Sequence, residues 1–210
     1  QLSAEFLEHI TNAHVMHVHS GETHHYSTTN PKKVSAWCSA VDGNKLIFTT
    51  YNSLHKVQES GVHVDTIYFD EAHNSVKKSF YPKAEYFAEN ADRCYYFTAT
   101  PKHSHTFKKP GMNDTRVYGQ VICNVPAPEL VETGAIIPPK INVQQINAVR
   151  DKEYGAERDC MTLLDTILNE DNMQKVLVAA PNTKVLMRML AETEFMTEVQ
   201  SYGYDVLWIT

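Results

Sequence analysis

Asp70 and Glu71 are adjacent carboxylates, followed after one alanine by the imidazole of His73. The run before them, Ile67-Tyr68-Phe69, is apolar and rich in β-formers. A buried parallel strand that stops abruptly at acidic side chains delivers them to the open end of an α/β sheet, the edge where such sheets bind ligands. Two acids there suit nucleotide hydrolysis. Asp70 can hold Mg²⁺, directly or through its waters, while Glu71 orients and deprotonates a water that attacks a γ-phosphate. His73 stands where it can report on the bound phosphate. Further on, Cys94-Tyr95-Tyr96-Phe97 is a second apolar run, and it ends in Thr98-Ala99-Thr100-Pro101.

The elements that must position these groups alternate. Leu2, Phe6, Leu7 and Ile10 recur at helical spacing, and Val15 to Val18 then reads as a strand ending in the small polar turn Ser20-Gly21. Asn30 is placed to cap a helix with Pro31 in its first turn and Trp37 on its buried side. A strand at Leu46 to Thr49 precedes a helix over 52–60 that Gly61 closes. Tyr81 to Asn90 reads as a helix with Tyr86 and Phe87 inward. Strand and helix alternating in this way predict a right-handed, doubly wound α/β layer.

Asp70-Glu71-Ala72-His73 resembles the DEAH form of Walker B in superfamily 2 helicases. Thr98-Ala99-Thr100 is similar to that family's Ser/Thr-Ala-Thr motif, and Thr49-Thr50-Tyr51-Asn52-Ser53-Leu54 to the TTY-x-SL segment of its phage and type III restriction-subunit branch. The motifs fall in the family's order, each closing a strand-like run. The resemblance implies an α/β fold with a RecA-like parallel sheet flanked by helices, of the P-loop NTPase type, plus part of a second RecA-like lobe. It implies an ATP-dependent helicase or translocase using ATP and Mg²⁺. The expected catalytic residues are Glu71, Asp70 and His73, with Asp70 on the metal and Thr98 and Thr100 coupling hydrolysis to strand movement. Ser20, Gly21, Thr49, Thr50, Tyr51 and Thr183 are expected to face nucleic acid, DNA in preference to RNA.

Composition sets limits. With 42% apolar and 21% charged residues, the 210-residue chain is an ordinary globular protein with room for one large or two small domains. It has no run of membrane-spanning length and no signal segment, so a cytoplasmic location is the expectation. Its net charge of −6 excludes a protein that coats nucleic acid with a basic face, though not one that grips the backbone locally through hydroxyls, main-chain N–H groups and lysine pairs such as Lys77-Lys78. Cys38, Cys94, Cys123 and Cys160 form no C-x-x-C pair, so neither a zinc site nor a disulfide framework is indicated. The histidines at 14, 17, 19, 24 and 25 raise a metal alternative, His17 and His19 sharing a strand face, but no acidic or cysteine partner completes a ligand spacing.

The prolines and glycine of 126–139 break the chain, which places a first lobe at 1–138 and a second at 139–210. The second lobe is expected to hold strands at 141–146, 175–180 and 204–210, and helices over 157–169 and 184–194. Asn182 or Thr183 either caps the latter helix or touches a phosphodiester. None of the eight glycines precedes a lysine, so the phosphate loop of such motors is not among these residues, and neither is the arginine-finger motif. The expectation is a segment of a longer motor with negligible ATPase activity alone. The alternatives are a noncatalytic nucleic-acid-binding remnant and a metal-dependent phosphohydrolase.

Overall fold

The computed structural model describes residues 2–106, 108–138, 140, 141, 143, 155–168 and 175–209. The chain divides into two compact units, Gln1–Val125 and Pro126–Thr210.

The first unit runs α1 (Leu2–His9), β1 (Ala13–Val18), β2 (Tyr26–Ser27), α2 (Pro31–Ala40), β3 (Asn44–Thr49), α3 (Leu54–Ser60), β4 (Thr66–Phe69), a 3-10 turn (Ala72–Asn74), α4 (Tyr81–Asn90), β5 (Arg93–Tyr96) and α5 (Thr115–Tyr118). Local chemistry sets the ends. The Asn30 side chain accepts the Lys32 N–H at 3.0 Å with Pro31 following, so α2 begins as its sequence predicts. Gly61 ends α3 at φ 66°, a left-handed conformation that a side chain would resist. Gly111 has a different reason to be glycine: a Cβ there would collide with the Ser104 amide, in a loop that Asn113 closes by bonding both the N–H and the C=O of Ser104.

The helices bury Val34, Leu54, Val57, Ala84 and Phe87 against Met16, Val18 and Phe69 of the strands. Each large aliphatic or aromatic side chain so buried contributes about 1.5–3 kcal/mol of transfer free energy. All strand pairs are parallel, in two ladders ordered β2-β1-β3 and β4-β5. This is an α/β arrangement of small parallel sheets. The single RecA-like sheet that the motifs imply is not seen as one continuous ladder, because β3 and β4 share no rung among the described residues.

The register sets Val18 opposite Thr49 and Phe69 opposite Tyr96, so the carboxyl ends of paired strands lie side by side. One expectation needs correction: β4 reads as buried on both faces, yet Tyr68 is 54% exposed, as is Phe97 beyond β5. Tyr68 stacks on its cross-strand neighbour Tyr95, at 5.5 Å, and meets Phe97 at 6.2 Å and Phe6 of α1 at 6.3 Å.

In the second unit α6 (Ala127–Glu132), α7 (Gly155–Leu168), α8 (Thr183–Ala191) and α9 (Phe195–Ser201) are helical. Leu164, Met189, Phe195 and Val199 form its core. Inside that core a charged pair joins α7 to α8: Glu157 is 2% exposed and lies 2.6 Å from Nη2 of Arg188. The helices expected at 157–169 and 184–194 are present. The strands expected at 175–180 and 204–210 are not formed over their described residues, and Leu177 and Leu207 are 97% and 91% exposed. A strand exists only against a partner, and these apolar runs join no ladder among the described residues. The strand expected at 141–146 falls largely outside the described residues.

Candidate nucleotide and nucleic-acid site

The parallel pairing of β4 with β5 carries the two motifs out of the sheet together. Phe97 N–H donates to the Phe69 carbonyl at 2.9 Å, and Ala72 N–H to the Phe97 carbonyl at 2.8 Å, which extends the ladder past both strand ends. His73 is thereby brought against the threonines: its Nδ1 lies 3.0 Å from Thr98 Oγ1, 3.4 Å from Thr100 Oγ1 and 3.2 Å from Glu71 Oε2. One ring nitrogen thus faces an acid from its own turn and two hydroxyls from the neighbouring strand. Asp70, Glu71 and Thr100 are exposed at this edge, with Glu71 64% open, while Thr98 and His73 are half-buried. The acids are therefore open to solvent.

The turn beneath is tightly braced. Glu71 holds φ 46°, a left-handed backbone conformation unusual for a side chain other than Gly, Asn or Asp. Its N–H donates to Asp70 Oδ1 at 2.9 Å, and the Asp70 carbonyl accepts the Tyr51 hydroxyl at 2.8 Å. Below it, fully buried Ser75 donates to the Ala72 carbonyl at 2.6 Å and shares a 2.9 Å hydrogen bond with the Tyr118 hydroxyl.

Ser20, Gly21, Thr49, Thr50 and Tyr51 gather where β1 and β3 end, since those strands are parallel and adjacent. Several of their polar groups are already used inside the protein. Thr49 Oγ1 donates to the Val18 carbonyl at 2.9 Å, and Gly21 N–H to His19 Nδ1 at 3.0 Å. Thr50 and Ser20 are exposed. Thr183 lies in the second unit as the first residue of α8, and Asn182 is the cap, its Oδ1 accepting the Val185 N–H at 3.0 Å. That leaves the exposed Thr183 hydroxyl outside the cap. Lys77 lies over the Phe80 ring at 5.8 Å.

The histidines of β1 and its exit loop cluster without forming a ligand set. His17 Nδ1 lies 3.1 Å from His19 Nε2, and the His17 ring stacks on His25 at 5.2 Å. Burial, then the neighbouring His19 and His25, lower the His17 pKa from its ordinary 6.5. Among the described residues, the group whose donor atoms converge within metal-binding reach is instead His63, Asp65 and Asp92, all exposed, at the starting ends of β4 and β5. Sequence reading missed it because two of its members precede different strands; only the pairing brings them together.

Asp70 suits a hard divalent cation as an oxygen donor, since one of its carboxylate oxygens carries no hydrogen bond among the described residues. A glycine-rich cradle for the phosphates is not among the glycines of this chain. Residues 1–103 match the family model described as Type III restriction enzyme, res subunit. The family that this model describes is helicase-like, of superfamily 2, and its members in general hydrolyse ATP and bind nucleic acid. The matched residues span β1 to β5 and end just beyond Thr98-Ala99-Thr100. Neither the curated proteins nor the solved structures include one that matches the chain. Among the described residues no helix is long and apolar enough to cross a membrane.

Proposed function

Taking residues 1–103 as helicase-like, we propose that the chain supplies the Walker B and coupling edge of an ATP-dependent nucleic-acid translocase or helicase, with residues 1–138 in the first motor lobe and 139–210 opening the second. The observation that carries this reading is His73, set between Glu71 on its own turn and Thr98 and Thr100 on the adjacent strand. A solvated surface turn has no reason to tie an acid, through an imidazole, to a neighbouring loop.

Asp70 would hold Mg²⁺, which when bound neutralises charge on the phosphates. Glu71 is the general base. It takes a proton from water as the oxygen–phosphorus bond forms and the bond to the β-phosphate oxygen breaks, giving ADP and phosphate. Loss of the γ-phosphate alters what Glu71 and His73 face, and Thr98 and Thr100 pass that change into β5. Ser20, Gly21, Thr49 and Thr50 face the nucleic-acid backbone, DNA in preference to RNA, and Thr183 adds a contact from the second unit. The compartment that suits this work is the cytoplasm.

The test is an ATPase assay on the complete gene product, comparing single-stranded DNA, duplex DNA and RNA as stimulators. Glu71→Gln is expected to abolish turnover, by roughly a hundredfold or more, while ATP still binds. Undiminished turnover refutes the assignment of the base. Phosphatase activity of residues 1–210 that needs metal but no nucleic acid points to a phosphohydrolase instead.

A further inference from the structure

Tyr51 belongs to the segment expected to grip nucleic acid, yet its side chain turns inward. Its ring packs 6.1 Å from Phe69 and 5.4 Å from Phe80, and its hydroxyl donates to the Asp70 carbonyl at 2.8 Å. A phenol is protonated near neutral pH and so is a hydrogen-bond donor there.

The accepting oxygen belongs to the peptide unit between Asp70 and Glu71. The N–H of that same unit donates to Asp70 Oδ1. The peptide is therefore held at both ends: Tyr51 fixes its oxygen and the Asp70 carboxylate fixes its hydrogen. The orientation of this plane sets the φ of 46° at Glu71, and hence where the Glu71 carboxylate points. Without the Tyr51 donor, a strained peptide keeps only one of its two restraints.

The other end of the link is equally stiff. Thr50 is exposed, and both its carbonyl and its hydroxyl accept the Ser53 N–H, locking a turn into α3, whose Leu54 and Val57 are core residues. Thr50 thus faces outward and the next residue inward on one rigid turn. We infer that Tyr51 is a positioning residue for hydrolysis, which orients the peptide unit of Asp70 and Glu71 and conveys strand engagement at Thr50 to the general base, and that it does not itself contact nucleic acid.

The inference rests on the function proposed above. Its test uses the complete gene product and compares Tyr51→Phe, Thr50→Ala and Glu71→Gln. Turnover is measured at saturating single-stranded DNA, and affinity by anisotropy of a fluorescein-labelled oligothymidylate. Tyr51→Phe keeps the ring packing and removes only the donor. Its kcat is expected to fall about fivefold to tenfold, the effect of one hydrogen bond, with the KM for ATP and the DNA affinity unchanged. Thr50→Ala is expected to weaken DNA binding, which Tyr51→Phe leaves alone. A 4-aminophenylalanine at position 51, which restores a donor, is expected to recover turnover, a rescue that a purely structural role would not produce.

Weakened DNA binding by Tyr51→Phe with kcat intact overturns the inference, as does an unchanged kcat beside an inactive Glu71→Gln; both leave the motor reading standing. Turnover that ignores nucleic acid, or that survives Glu71→Gln, overturns both together.

Discussion

At the scale of single residues, charge state and backbone conformation dominate. Burial, then the neighbouring imidazoles of His19 and His25, lower the His17 pKa, so folding disfavours its protonated form. The folded pKa lies below the unfolded 6.5, and the unfolded chain binds more protons in the interval between them. Stability is therefore complete above the unfolded value and is lost as pH falls through the folded one. Thermal melts across this range are expected to show the first unit losing stability on acidification, with a shallower fall in His17→Gln.

Asp70 and Thr98 directly follow apolar strand-like runs, with Glu71, His73 and Thr100 soon after, and parallel neighbours end together, so sequence could bring these candidates to one edge. It could not disclose that Tyr51 turns inward, because its partner is a main-chain oxygen on another strand. A side chain bound to backbone far away in sequence leaves no pattern of letters.

At the scale of elements, caps and core faces were legible and partnerships were not. Asn30, Pro31 and Gly61 each carry a local rule, and α2 and α3 obey it. Gly61→Ala tests the rule alone, since nothing lies within 4 Å of the added Cβ. The expected loss is about 1 kcal/mol, read as a lower denaturant midpoint at unchanged m. The apolar runs at 175–180 and 204–209 show the opposite case: hydrophobicity expresses a need for a neighbouring strand without supplying one.

Between α7 and α8, packing pairs the buried Glu157 with the partly buried Arg188, a partnership that helical spacing does not reveal. Arg188→Met removes the cation that faces the Glu157 carboxylate among the described residues and is expected to destabilise the second unit by about 3–5 kcal/mol. Adding Glu157→Leu is expected to recover most of that, and denaturant titration of the single and double variants measures the coupling.

For the whole molecule, the two compact units differ in how much structure the sequence dictates. The first unit has parallel ladders whose ends collect every candidate group from Ser20 to Thr100, and the family match covers its strands. The second is held by helices, with Thr183 its one candidate contact. Composition fixed neither arrangement; a net charge of −6 requires any nucleic-acid grip to be local, and exposed Ser20 and Thr50 beside main-chain groups are local in that sense. For the function proposed above, the parallel edge therefore matters more than the overall electrostatics.

Glu71 occupies a backbone geometry that glycine adopts at no steric cost. Conformational ease and acidity pull in opposite directions at this one position. A lineage released from the need for that acid would find glycine an easy replacement, so descendants carrying glycine there beside an intact imidazole and threonine pair would mark the point where the chemistry was given up and the scaffold kept.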